Sequence, residues 1–345
     1  MVKSLRQFVP IFANSAAFQK MIALLEQTGG ERANLLRVLT YHRVDEPQAR
    51  PWLDPVLISA SVADFEAQMK YLSANYQPVS VFDVLAAFEK GDQKILPKRA
   101  VLVTFDDAYY DFEQHAWPVL KQYRIPVTLF VPTAFPDHPE RLFWWDRLFH
   151  AIHTTVKSEI STPIGNLMIS TDLERKQTNT RLKNHIKSLP NAAAITFVED
   201  IENQLNISPH TNCVLGWDAL RKLANEGVTL APHTQTHPIM NHIPPGAMQN
   251  EAVGSLHDLQ REIGVTPPVF AYPSGFYNPE VVEALKNAGF KLAFTTERGI
   301  NNLSQVDPLQ LQRINVGAQT TIPILRTQLL SLSASLYPLS KKVFS

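Results

Sequence analysis

Two neighbouring carboxylates, Asp106 and Asp107, and two imidazoles four residues apart, His233 and His237, are the groups in this sequence best suited to chemistry. Adjacent carboxylates at the end of a buried strand repel unless a cation or a shared proton relieves them. A His-x3-His spacing brings two imidazoles within reach of one ion. One carboxylate and two neutral imidazoles make a three-ligand, zinc-type site with an open position for water, and the spare carboxylate beside it is a proton acceptor. A divalent ion can lower the pKa of bound water from about 15.7 toward ~7, which points to hydrolysis. Each group also has a plainer reading. Asp106-Asp107 would serve as a helix cap followed by a first-turn acid, the histidine pair as surface residues, and His42 as a packed or capping histidine.

The elements that would carry these groups decide between the readings. Short apolar runs bounded by turn formers recur at 35–41, 100–105, 126–131, 227–231, 268–272 and 290–295. They are too short for helices and rich in Val, Phe, Leu and Thr, so they read as buried strands. Helical patterns lie between them: 62–75 behind a Ser61 cap, 115–124, 216–227, and 278–290 with Asn278 as cap and Pro279 at the first helical position. Strand and helix alternate, implying an α/β fold with a parallel sheet, open or closed into a barrel. In such folds strand C-termini share one edge, where sites assemble. The first run ends at His42, the second at Asp106-Asp107, the fourth at His233 with His237 beyond, and the fifth at a Ser274-Gly275 turn. Four strands thereby deliver chemistry to one rim. Pro232 and Pro238 bracket the histidine pair and make its segment a stiff loop.

Composition limits the partners. The chain has 345 residues, 32 basic against 32 acidic, and 45% apolar. Zero formal charge argues against a broad electrostatic grip on nucleic acid or anionic lipid. Cys213 is the only cysteine, which excludes an intrachain disulfide and a thiolate metal cage. The division expected is a helical N-terminal extension (1–34), a core domain (35–320) carrying a mainly helical insertion (140–212), and a C-terminal tail (321–345). No uninterrupted signal-type apolar core and no 18-residue spanning run is present. A cytoplasmic location is therefore expected. Contact with a membrane surface is the alternative, through a stripe of Phe8, Ile11, Phe12, Phe18, Ile22 and Leu25. Phe143, Trp144, Trp145 and Phe276 are candidate sugar-stacking faces, with packing of the insertion on the core as the plainer role.

At LTYHRV (39–44), VLVTFDDAYYDF (101–112), PVTLFVPT (126–133), APHTQTHP (231–238), FAYPSGFYNPEVVEALKNAGFKLAFTT (270–296) and QRINV (312–316), the chain resembles the polysaccharide deacetylases, the NodB-type domain of carbohydrate esterase family four. The resemblance implies an irregular, incomplete (β/α) barrel and a metal-dependent hydrolase that removes an N-acetyl group from an N-acetylated carbohydrate. It makes Asp106 the general base, and Asp107, His233 and His237 the ligands of one divalent ion, commonly Zn2+. The turn formed by Tyr272, Pro273 and Ser274 would hold the oxyanion and substrate, through the backbone N–H of Ser274. Ser274 stands where the family often has Tyr, and Ala108 stands at a glycine-like position. Ala271 occupies the slot of an arginine that orients the base in many members, and the usual C-terminal Leu-x-His is missing. His42, in a Tyr-His motif like that of the poly-N-acetylglucosamine deacetylase branch, is assigned as general acid. A deacylase of lipid-linked or nucleotide-linked sugars, and a non-catalytic carbohydrate-binding protein, are the alternatives.

Overall fold

A computed structural model describes residues 15–28, 34–89, 96–207 and 213–330. Eleven helices of six or more residues lie among them: α1 (Ala16–Thr28), α2 (Val62–Asn75), α3 (Val81–Glu89), α4 (Trp117–Gln122), α5 (Trp144–Thr154), α6 (Asp172–Ile186), α7 (Asn191–Leu205), α8 (Trp217–Asn225), α9 (Pro245–Ile263), α10 (Pro279–Asn287) and α11 (Ile322–Leu329). The barrel strands are β1 (Leu35–Tyr41), β2 (Ala100–Phe105), β3 (Val127–Val131), β4 (Thr229–Pro232), β5 (Val269–Ala271), β6 (Leu292–Arg298) and β7 (Leu311–Asn315). Their order across the sheet is β5–β6–β7–β1–β2–β3–β4, every neighbour parallel.

That order is a barrel in chain sequence, opened between β4 and β5. Two side-chain bonds span the seam: the Thr266 hydroxyl donates to Leu230 O at 2.8 Å, and His233 Nδ1 lies 2.7 Å from Ala271 O. The connection from β6 to β7 contains no α-helix, only a short bridge at Asn301–Asn302 antiparallel to Leu35–Leu36 and one 3-10 turn. The fold is thus the irregular, incomplete (β/α) barrel.

Alternation along the strands separates two apolar layers. Leu36, Val38, Ala100, Leu102, Phe294 and Leu311 meet in one cluster inside the barrel, closed at one end by Val81, Val84 and Leu85 of α3. Leu39, Tyr41, Val103, Phe105 and Leu129 take the opposite parity and pack on Phe65, Met69 and Leu72 of α2 and Leu120 of α4. Full burial of each such side chain contributes about 1.5–3 kcal/mol. Following the inner parity upward, Leu36, Val38 and Thr40 lead to His42, and Ala100, Leu102 and Thr104 lead to Asp106. Thr40 and Thr104 are register partners whose hydroxyls lie 3.4 Å apart. The interior row therefore changes from aliphatic to hydroxyl to ionisable as it nears the rim.

The expected strands at 35–41 and 100–105 are present with those bounds. The fourth strand starts two residues later than expected, at Thr229, and β7, with Gln312, Arg313 and Asn315, was not among the apolar runs. Ser61 caps α2 by accepting from the Asp64 N–H, and Asn278 caps α10 by accepting from Val281 N–H. Residues 140–212 hold α5, α6, α7 and an antiparallel hairpin (Glu159–Thr162, Gly165–Met168) around their own apolar cluster, which includes Leu148, Leu182 and Val198. Helix α1 is tied to the barrel by Arg326 of α11, whose guanidinium pairs with Glu26 at 2.6 Å. Ile22 of the N-terminal stripe is buried, whereas Phe8, Ile11 and Phe12, the rest of 1–14, 208–212 of the insertion, and 331–345 of the tail lie outside the described residues. No helix among the described residues is long and apolar enough to cross a membrane.

Candidate metal and catalytic site

The chain leaves β2 through Asp106 and turns sharply, with Asp107 at φ +73° and Ala108 at φ +51°. Left-handed backbone at residues with a Cβ is strained and persists where the surroundings fix it. Here the fixing contacts are Leu215 N–H to Ala108 O (2.9 Å) and Tyr110 N–H to Cys213 O (3.1 Å). The glycine-like position held by Ala108 thus does require positive φ. The turn splits the carboxylates between two environments.

Asp106 meets Arg313 of β7 in a two-pronged pair, Nη1 to Oδ1 at 2.9 Å and Nη2 to Oδ2 at 2.8 Å. Arg313 is fully buried, and its Nε donates to Thr295 O at 2.7 Å. Burial alone would raise the Asp106 carboxyl, but Arg313, then His233 and His42, hold it below the usual carboxylate range. The sequence had suggested that the arginine orienting this carboxylate was missing. It is supplied instead from β7, two residues past Leu311 on the inner parity. A charged residue at inward parity in a barrel strand was the available signal.

Asp107 faces the histidines. Its Oδ1 lies 3.4 Å from His233 Nε2 and 3.3 Å from His237 Nε2. One donor atom from each of the three residues falls within 4.8 Å of the others, and all three residues are buried. Those separations are long for hydrogen bonds, and Asp107 Oδ1 is a buried oxygen without a hydrogen-bond donor. A carboxylate and two imidazoles converging at that spacing, with an orphaned oxygen between them, fit a divalent cation. His233 Nδ1 is engaged by Ala271 O, which leaves Nε2 as the free lone pair, the arrangement metal-binding histidines use. Ala271 thus contributes a carbonyl to the centre. Burial opposes ionisation of Asp107, yet His233 and His237 hold its carboxyl far below the usual range. Burial also opposes a charged His233, but Asp107 and Asp106 raise it; burial keeps His237 low.

The histidine loop is rigid for identifiable reasons. The Thr234 hydroxyl accepts from His237 N–H at 3.0 Å and donates back to His233 O. Glu251 of α9 accepts from Gln235 N–H and Thr236 N–H at 2.8 and 2.9 Å. Thr234 and His237 both have positive φ. No helix forms between Pro232 and Pro238.

A cavity of about 300 Å3 opens over these groups, lined among others by His42, Asp106, Asp107, His233, His237, Ser274, Thr296 and Asn315. His42 is placed by its N–H, which donates to Ser59 Oγ at 2.9 Å, and by Arg43 beside it, which is clamped between Asp111 and Asp45 at 2.8 and 3.1 Å. Ser274 has φ +55° at the tip of the turn after β5. Gly275 follows at φ +74°, where a Cβ would lie 1.9 Å from Thr296 Oγ1, so only glycine fits. Tyr272 and Pro273, expected at the substrate, are buried behind the turn and do not line the cavity. The Tyr272 hydroxyl donates to Leu309 O at 2.8 Å, because its parity points it into the α10 layer.

The insertion also reaches the cavity, through Trp144, Trp145, Lys183 and Lys187. Trp145 stacks on buried Phe143 (4.6 Å, 6°) and meets His237 edge-on at 5.0 Å. Its Nε1 donates to Tyr109 OH, which donates to buried Asp146. Phe276 is exposed and lies outside the cavity. Cys213 is buried, and burial pushes its thiol up, as suits a core residue.

Residues 93–293 match the family model for polysaccharide deacetylase. The chain belongs to the polysaccharide deacetylase family. It is similar to the poly-β-1,6-N-acetyl-D-glucosamine N-deacetylase of Escherichia coli (strain K12), with 22% identity over 274 residues, 79% of this chain and 35% of that protein. The chain therefore spans about a third of the length of that relative. Among solved structures it is similar to the Streptococcus pyogenes deacetylase PplD (TM-score 0.57, 19% identity, 86% of this chain and 98% of that one). IcaB from Ammonifex degensii is comparable (TM-score 0.55, 20% identity, 86% and 98%). At such identities the structures speak for the fold, which is the NodB-type barrel derived above.

Proposed function

We propose that this polysaccharide deacetylase removes the N-acetyl group from an N-acetylated hexosamine by hydrolysis at the rim cavity. The observation that carries the reading is the division of labour between the two adjacent aspartates. Asp107 joins two histidines as a ligand set, while Asp106, beside it, is gripped by Arg313 and kept anionic.

Asp107, His233 and His237 would hold one divalent cation, Zn2+ being the expected one, which when bound acidifies water and polarises the acetyl carbonyl. Asp106 takes the proton of the attacking water; the Arg313 fork fixes its plane, so the free lone pairs face the cavity. The Ser274 backbone N–H, presented by the Gly275 turn, stabilises charge developing on the carbonyl oxygen, a contribution of about 3–4 kcal/mol for such donors. His42, as imidazolium, delivers a proton to the departing amine nitrogen, which would otherwise leave as a poor anion. Trp144 and Trp145 wall the cavity and present aromatic surface to the sugar ring.

Polysaccharides that contain N-acetylated hexosamines are the substrates proposed first, in keeping with the name of the Escherichia coli relative. The non-catalytic alternative loses one of its two grounds, since the base-orienting arginine exists as Arg313. Acetate release from N-acetylglucosamine oligomers, with and without chelator, tests the reading. Asp106→Asn should retain metal and lose about 10²–10⁴-fold in turnover. Full activity in that variant would remove Asp106 from the mechanism.

A further inference from the structure

Two ammonium groups line the catalytic cavity without a part in the reaction above. Lys183 lies in the last turn of α6 and Lys187 caps that helix one turn later, so both share a face. Both border the cavity together with Asp106, Asp107 and Trp145.

The other charges there are answered from within the protein. Asp106 is paired with Arg313, and Asp107 belongs to the ligand set. Lys183 donates to Asp54 Oδ2 at 2.5 Å, and Asp54 is buried. Lys187 is different. It is half-buried, and among the described residues no carboxylate lies within ion-pair distance of its ammonium. Cations at a helix C-terminus commonly answer the macrodipole, which would favour the charged form. Burial, and then Lys183, lower the Lys187 pKa instead, which a solvated surface lysine would not show. A cation withdrawn from water without a counter-charge costs free energy that an anion from a ligand would offset. Lysine is a compact point-charge donor well suited to that role.

We propose that Lys187, backed by Lys183, recognises an anionic substituent, a phosphoryl ester or a carboxylate, carried by the N-acetylated sugar. The proposal rests on the deacetylase reading of the same cavity and narrows its substrate from any N-acetylhexosamine to an acidic one. The insertion then acts as a selectivity element, placing a cation on the wall of the cavity that the barrel's Asp106, Asp107, His233 and His237 also line.

The test compares a neutral sugar (methyl N-acetyl-β-glucosaminide), a phosphorylated one (N-acetylglucosamine 1-phosphate) and a carboxylated one (N-acetylmuramic acid). Acetate release gives kcat and KM, and calorimetry on Asp106→Asn protein gives affinity independently of turnover. An acidic sugar should exceed the neutral one at least tenfold in kcat/KM and in affinity, with the gain in KM. Whichever acidic arm shows it identifies the substituent. The ratio should fall to near one in Lys187→Gln, invert in Lys187→Glu, survive in Lys187→Arg, and shrink with added salt. Equal use of neutral and acidic sugars by the unmodified protein, or a preference that survives Lys187→Gln, overturns the proposal. Acetate release from none of the sugars counts against the deacetylase reading alone. Calorimetry then still decides the lysine site, since equal affinities refute it and a tenfold preference lost in Asp106→Asn/Lys187→Gln upholds it.

Discussion

Replacing Arg313 with Met separates what holds the proposed base from what the base does. Both Asp106 oxygens lose their partner, in a place where Arg313 is fully buried and Asp106 is 3% exposed. Breaking a buried pair by removing one member typically costs about 3–5 kcal/mol, because the remaining charge stays desolvated. Some of that cost is relieved if Asp106 takes up a proton, since Arg313 is the strongest of the groups that offset its burial. The sign follows from linkage. A carboxyl held below its unfolded value contributes stability that is complete above that value and lost as pH falls through the folded one. Without Arg313 the contribution disappears, so acid unfolding begins at higher pH. The acid limb of kcat/KM moves the same way, because the base must be ionised to work. Two further variants isolate the charge. Arg313→Lys keeps a cation but not the fork, and should lie between wild type and Arg313→Met in stability and rate. Arg313→Met/Asp106→Asn should be more stable than Arg313→Met by about 1–3 kcal/mol, because no buried charge is stranded. Urea unfolding at several pH values and pH–rate profiles for acetate release provide both readouts. An Arg313→Met protein with wild-type stability and an unmoved acid limb would refute the reasoning.

Other expectations follow from single contacts. Burial pushes the Asp146 carboxyl up to about 7, so the stability it supports is full below its unfolded value and is lost as pH rises through the folded one. Relative to wild type, Asp146→Asn should therefore gain in melting temperature between pH 5 and 8; a constant offset would sink this reading. Gly275→Ala forces a Cβ against Thr296 at φ +74°, and should lose about 1–3 kcal/mol and at least tenfold in kcat, with partial rescue by Thr296→Gly. An unimpaired kcat would mean that the Ser274 turn does not serve the reaction. Ser61→Ala removes the α2 cap, a residue that does not line the cavity, and should cost about 1 kcal/mol by urea unfolding without altering KM.

The fold was legible because a parallel barrel buries both faces of its strands. LLRVLTY and AVLVTF read as continuous apolar runs, and the residues where they stop fall on one rim. Three of the residues proposed as metal ligands and base, Asp106, Asp107 and His233, stand at the ends of such runs, and His237 lies one loop turn on. β7 carries no apolar signature because the residues it delivers are polar. LQRIN lacks an apolar run, yet its inward positions deliver Arg313 to Asp106 and Asn315 to the cavity. Tyr272 was misplaced for the converse reason. Ser274, two residues on, lines the cavity, while strand parity sends the Tyr272 ring the other way. The lysines of α6 carried no signal at all, since a polar helix with Lys at i and i+4 looks like a solvated face until α6 is packed beside the barrel.

The central claim is that Asp107, His233 and His237 bind one cation together. Chelator-treated protein titrated with Zn2+, with bound metal measured after gel filtration, tests it directly. The expected result is one ion per chain, retained in Asp106→Asn, and background metal in His233→Ala/His237→Ala and Asp107→Ala proteins that still melt cooperatively. Stoichiometric binding that survives loss of those side chains, or no binding by the unmodified chain, would contradict the account.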